Sequence, residues 1–254
     1  MNLDEVPSVS DPAAPAAEAL AADTLSQPVA PLLHTVVLVV VLLVISSASA
    51  GTQQQFVDRH GRMTLYLMTI AWEWVVTLYV IWGLRRRRVS LSRIVGGKWS
   101  SPDAMLLDVA VAAGFWLVAA GVLAGVGYAV GLRGPGQLEA AKKTLGMLAP
   151  HTGAELAVWF ALSATAGFCE EIIFRGYLQT QVGALSGSIW VGVLAQAAVF
   201  GASHAYEGWQ RMIQIAVFGA MFGLLAVWRR SLRPGMLAHA LQDSLAGVAL
   251  RFLK

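Results

Sequence analysis

The sequence predicts an all-α, polytopic transmembrane bundle of about seven to eight helices, and three observations predict it. Of 254 residues, 57% are hydrophobic and 13% charged, with a mean hydropathy of +0.62; soluble domains carry about one quarter charged residues. Apolar runs succeed one another from Leu32 to the end of the chain, and crossing a bilayer takes about 20 such residues. Basic residues gather where the runs stop, as topology-setting cations do. The net charge of +3 therefore reads as orientation in a membrane, and no nucleic-acid partner is expected. Cys169 is the single cysteine, so no intrachain disulfide can form.

In chain order, residues 1–31 hold five of the nine prolines and the acids Asp4, Glu5, Asp11, Glu18 and Asp23, with no Lys or Arg. Such a segment cannot bury a core and is expected to be a disordered tail. Without a basic n-region it is a poor signal peptide, so it is expected to be retained. Runs of spanning length then occupy residues 32–50, 65–84, 104–132, 153 into a Glu-Glu stretch, 189–204, 212–228 and 236–253. An eighth helix follows if the long fourth run is broken. Arg85 to Arg88, Arg93 and Lys98 follow the second run, and Arg229, Arg230 and Arg233 the sixth. Both clusters fall on one side if the N-terminus is cytoplasmic, which gives a multi-pass protein of the cell membrane.

The fourth run contains the stretch Gly167 to Gln179, with Glu170, Glu171 and Arg175 in apolar surroundings. Each charge near a bilayer centre costs roughly 2.5–3.5 kcal/mol on insertion scales, so three within six residues suggest a function that needs them. Glu171 and Arg175, four apart, can pair on a helix, whereas Glu170 points about 100° away and has no local partner. Glu73, between Trp72 and Trp74, reads as a structural, hydrogen-bonded or protonated carboxyl, with a cavity-lining role as the alternative. Asp103 and Asp108 suit the start of the third helix through its dipole. Trp82, Trp99 and Trp228 read as interfacial anchors, and Gly121, Gly125 and Gly127 as points of close helix approach.

Two further polar elements follow. Phe200 to His204 ends the fifth run, and His239 and Asp243 share one face of the last helix at i and i+4. Taken alone, His204 reads as an interfacial side chain. Together, Glu, Glu, Arg, His, His and Asp on three apolar segments are what hydrolysis in a membrane requires: a base, an oxyanion donor and groups that hold both. If the fourth and fifth helices turn at residues 183–188, Glu170 and His204 lie roughly 20 and 25 Å up their arms by the 1.5 Å rise. His239, five residues after Pro234, falls nearer the opposite end and requires tilted, broken or offset helices.

Glu170-Glu171-x-x-x-Arg175, Phe200-x-x-x-His204 and His239-x-x-x-Asp243, in this order on separate hydrophobic helices, resemble the CPBP family of intramembrane proteases, also called ABI, which includes the Ras-converting CAAX prenyl endopeptidases. The extended match Glu-Glu-Ile-Ile-Phe-Arg-Gly-Tyr-Leu carries most of the specificity. The resemblance covers residues 153–254 and makes this the catalytic core, behind motif-free N-terminal helices over 32–152. It implies an endopeptidase acting on membrane-associated protein or peptide substrates in or at the lipid bilayer. Glu170 and His204 would activate water, while His239 and the residue at 243 stabilise the oxyanion. Family members often carry Asn where this chain has Asp243, which cannot donate unless protonated.

A metal-free, glutamate-type mechanism is the expectation, with no cofactor. A divalent metal such as zinc is an alternative, because Glu170, His204, His239 and Asp243 are ligand types; against it stand the Arg175 charge and the lack of an HExxH signature. A non-catalytic protein or proton-coupled transporter is a third reading, although no internal repeat is visible. Cys169 as nucleophile is weaker still, being a lone Cys on an apolar helix.

Overall fold

The computed structural model describes residues 27–49, 51–132, 134, 136 and 146–252. Ten helices occur among them: α1 Leu32–Ser49, α2 Gln53–His60, α3 Arg62–Arg86, α4 Leu91–Val95, α5 Pro102–Ala129, α6 Gly153–Glu170, α7 Thr180–Ser186, α8 Ile189–Ala202, α9 Trp209–Arg229 and α10 Arg233–Phe252. Between α6 and α7 the chain stays helical but widens into a π-helix over Glu171–Gln179. The fourth run is thus one unbroken rod of 34 residues, Gly153–Ser186, and the eighth helix that a break would have produced does not form.

Among the described residues, five rods are long and apolar enough to cross a membrane: α1, α3, α5, α6 through α7, and α9. Two expected spans fall short of that description. α8 has 14 residues, and α10 carries too many polar groups along its 20. Each still presents a polar side chain to the interior, Gln196 of α8 to Gly219 O and His239 of α10 to Glu171 of the π-helix. The outer faces expose apolar side chains such as Val36, Val40 and Val44 of α1 and Leu106, Leu117 and Val118 of α5, as helices facing hydrocarbon do.

The proposed tail lies outside the described residues up to position 26. Its last residues are structured: Val29 and Ala30 are buried, and Ala30 exchanges backbone hydrogen bonds with the Gln181 side chain at 3.0 Å each. Local chemistry sets the helix starts. Ser101 caps α5 by accepting from Ala104 N, with Pro102 in the first turn. Thr152 and Glu155 form a reciprocal capping box on α6, which satisfies otherwise orphaned donors.

All nine residues of the π-helix are buried, because α3, α4, α8, α9 and α10 or their flanks surround it. Of the three glycines expected at close approaches, Gly127 is at one: a Cβ there would lie 3.1 Å from Gln214 Nε2 of α9. Nothing lies within 4 Å of a Cβ placed on Gly121 or Gly125. The tight contacts are at Gly167, where a Cβ would meet Ala240 N and Met236 O at 2.8 Å, and at Gly247, against the Trp159 ring. These clamp α6 to α10 in antiparallel register, as small residues do between membrane helices. Asp108 likewise departs from its expected role: it is buried, pairs with Arg229 and Arg233 at 3.1 Å each, and accepts from Trp99 Nε1 at 2.8 Å. It ties α5 to the α9–α10 turn and holds Trp99, which is therefore more than an anchor.

Candidate active site

The α6–α10 register brings the two polar motifs of these helices together. With Gly167 opposite residues 236–240, Glu171 comes level with Gly235 and His239; a Cβ on Gly235 would lie 3.0 Å from Glu171 Oε2. His239 Nδ1 faces Glu171 Oε1 at 3.1 Å, and Nε2 faces Glu170 Oε2 at 3.5 Å and Asp243 Oδ2 at 3.7 Å. The offset that placed His239 away from Glu170 does not occur, because glycine contact, and not simple crossing length, sets the depth of α10. Asp243 stands at ion-pair rather than hydrogen-bond distance from the ring.

Glu171 and Arg175 form the expected pair, Oε1 to Nη1 at 3.0 Å. The guanidinium lies over the Phe200 ring at 4.3 Å and the Phe222 ring at 5.0 Å. Arg175 Nη2 donates to Gly219 O at 3.5 Å, while Nε has no hydrogen-bond partner. Aromatic faces therefore replace much of its lost hydration. Exposure divides the carboxylates: the side chain of Glu171 is 1% accessible, that of Glu170 13% and that of Asp243 34%. Glu171 and Arg175 are sealed, whereas Glu170 and Asp243 reach an accessible space.

His204 follows the end of α8. Its Nδ1 lies 2.8 Å from Phe200 O, a carbonyl that can only accept. The neutral ring therefore carries its proton on Nδ1 and keeps a lone pair on Nε2. The Phe200 ring stands between the Phe174 ring at 4.8 Å and the His204 ring at 4.9 Å, so His204 flanks the start of the π-helix. His204 interacts electrostatically with Asp243. Among the described residues, no hydrogen bond or ion pair joins it to Glu170.

Two residues join this group that the motifs did not assign. The Glu73 carboxyl faces that of Glu170 and interacts with it electrostatically. It is placed there because α3 runs alongside α6, with Tyr66 against Trp159 at 5.3 Å and Trp74 against Phe168 at 5.7 Å between ring centroids. Glu170 therefore has a partner on another helix, although it has none on its own. The signal was present as an acid between two tryptophans in an apolar run, but nothing local named its partner. Tyr206, in the short 3-10 turn Ala205–Glu207, is the second. Burial pushes its hydroxyl well above the usual range, and Glu207, Glu170 and Glu73 add to this, so it stays a neutral donor beside the carboxylates.

Cys169 is fully buried in the core. Among the described residues, no group of three or more His, Cys, Asp or Glu side chains is arranged to hold a metal ion.

Residues 152–245 match the family model described as Type II CAAX prenyl endopeptidase Rce1-like. This is the segment whose three motifs carry the resemblance noted in the sequence. The chain is also 30% identical over 93 residues to the uncharacterized protein YpbD of Bacillus subtilis (strain 168). That match covers 36% of this chain and 44% of the relative, so the chain spans less than half of the relative's length. No solved structure matches the chain.

Proposed function

We propose that this multi-pass membrane protein is a CAAX-protease-like intramembrane endopeptidase that hydrolyses peptide bonds of membrane-associated protein or peptide substrates. The observation that carries the reading is the convergence of Glu170, Glu171 and His239 from α6, the π-helix and α10, in the segment that matches the endopeptidase family. A buried acid–histidine group of this kind is expensive in an apolar bundle and is retained where chemistry uses it.

In this mechanism Glu170, the more accessible member of the Glu170–Glu171 pair, is the general base: it draws a proton from the attacking water as the C–O bond forms and gives it to the leaving amine as the C–N bond breaks. His204 helps orient that water through the lone pair on Nε2. Glu171 accepts Nδ1–H from His239 and so turns Nε2 towards the reacting carbonyl. Protonated His239 then donates to the developing oxyanion. Asp243, unable to donate while ionised, steadies His239 from the accessible side. Arg175 pairs with Glu171 and holds it in place. Glu73 faces Glu170 from α3 and orients it. Side chains supply base, donor and orienting groups, so the proposed reaction uses no metal.

In this reading the arginine-rich end of the bundle, with the start of α1, is the cytoplasmic side of the cell membrane, in keeping with the bias of basic residues to that side. The decisive experiment is cleavage of a membrane-embedded reporter peptide by the purified chain and by Glu170→Gln, which keeps the size of the side chain but removes the base. Loss of at least about 100-fold in a variant that inserts and folds normally is the expected result, the lower end of a general base's contribution. Normal cleavage by both Glu170→Gln and Glu171→Gln would refute the reading.

A further inference from the structure

At the arginine-rich end of the bundle a cavity of about 1090 Å³ opens between the α3–α4 turn, the end of the π-helix and the α9–α10 turn. Four arginines with exposed side chains line it, Arg87, Arg88, Arg93 and Arg230, and no Asp or Glu does so among the described residues. Its rim is at the level of exposed Trp82, Trp99 and Trp228, the tryptophans of the helix ends that mark a membrane–water interface. Its inner wall ends at the sealed Arg175 and at Gln179, whose buried Oε1 has no hydrogen-bond partner.

The backbone adds an independent observation. Among the described residues, the two non-glycine positions with positive φ are Arg88 at 58° and Arg230 at 50°, and both line this cavity. Each follows the end of a long helix, where glycine adopts the left-handed conformation without steric cost. A long side chain held in that conformation marks a position where the side chain itself is needed. Orientation by positive charge explains why arginines follow α3 and α9. It does not explain a shared cavity, for Arg85 and Arg86 belong to the same run and do not line it.

We propose that this cavity binds a phosphate group at the membrane surface, carried by an acidic phospholipid headgroup or by a soluble phosphate. Guanidinium forks match phosphate oxygens in bidentate geometry. A cavity lined by arginines and by no acid among the described residues, at the interface, meets such groups at high local concentration.

The test compares Arg87→Gln/Arg88→Gln with Arg85→Gln/Arg86→Gln, which remove equal charge from the same run. Each full-length chain is reconstituted in phosphatidylcholine nanodiscs. Thermal midpoint and lipid retained in native mass spectrometry are read with phosphatidylglycerol added, or with inorganic phosphate against chloride at equal ionic strength. The expected result is stabilisation and phosphatidylglycerol retention in the wild type and in Arg85→Gln/Arg86→Gln, both lost in Arg87→Gln/Arg88→Gln. A response to inorganic phosphate alone, with the same variant pattern, assigns the site to a soluble phosphate. Equal loss in both double variants means general surface charge and overturns the proposal, as does no response to either probe. If Arg87→Gln/Arg88→Gln does not fold, Arg230→Gln on the other turn provides the same comparison.

Discussion

Replacing Arg175 by Ala should unfold much of this protein before it reveals anything about chemistry. The guanidinium is inaccessible, 3.0 Å from Glu171, and lies over two phenylalanine rings. Removing one partner of a buried pair costs about 3–5 kcal/mol, chiefly because the other charge is left in low dielectric. Here His239 Nδ1 remains 3.1 Å from Glu171 and offsets part of that cost. The lost cation–π contacts act the other way, at about 0.5–2 kcal/mol each. The expectation is therefore a loss of about 3–5 kcal/mol, or roughly two to three orders of magnitude in the folding equilibrium. Denaturant unfolding in detergent micelles, beside folded yield, measures it. The companion variant Glu171→Gln/Arg175→Met removes both charges and keeps the volume, so it should be more stable than Arg175→Ala. If Arg175→Ala had wild-type stability and activity, or if the double variant showed only the sum of its two single losses, the pair would not be the structural device inferred here.

Glu171→Gln should show a stability defect with partial cleavage, in contrast to inactive but folded Glu170→Gln; a folded, inactive Glu171→Gln beside an active Glu170→Gln in the reporter assay would reverse the two assignments. Glu73→Gln, which can still donate to Glu170, should cleave within about tenfold of wild type, whereas Glu73→Leu leaves Glu170 short of a partner and should lose about one to two orders of magnitude at preserved fold, as kcat measurements with circular dichroism would test. Gly167→Leu should lower folded yield sharply, because the Cβ would meet α10 backbone at 2.8 Å, while Gly114→Leu, with nothing within 4 Å, should be tolerated in the same expression assay. Preincubation with a divalent-metal chelator should leave reporter cleavage unchanged; loss restored by zinc would contradict the metal-free mechanism.

The sequence alone determined the solvent and the rods. Hydrophobic composition required a membrane, run length set the helices, and the cost of charge in lipid singled out Glu170, Glu171, Arg175, His204, His239 and Asp243. The i to i+4 spacing of Glu171 and Arg175 was sufficient for their ion pair, since that contact is local and survives widening into a π-helix. The tertiary structure decided which helices meet and at what depth. An almost wholly apolar helix offers no face pattern from which to choose a neighbour, and length gives depth only for straight, level crossings. The register that brings His239 to Glu171 depends on Gly167 and Gly247 meeting α10 and α6 backbone and Trp159, a contact between residues about seventy to ninety positions apart that no local spacing reports. The same holds for Glu73, whose partner Glu170 lies on a helix separated from it by α4 and α5, and for Asp108, which looked like a helix-start acid until the α9–α10 turn brought Arg229 and Arg233 to it. Local chemistry is legible where partners share a turn of helix. Where they share only the interior of the bundle, close packing chooses them.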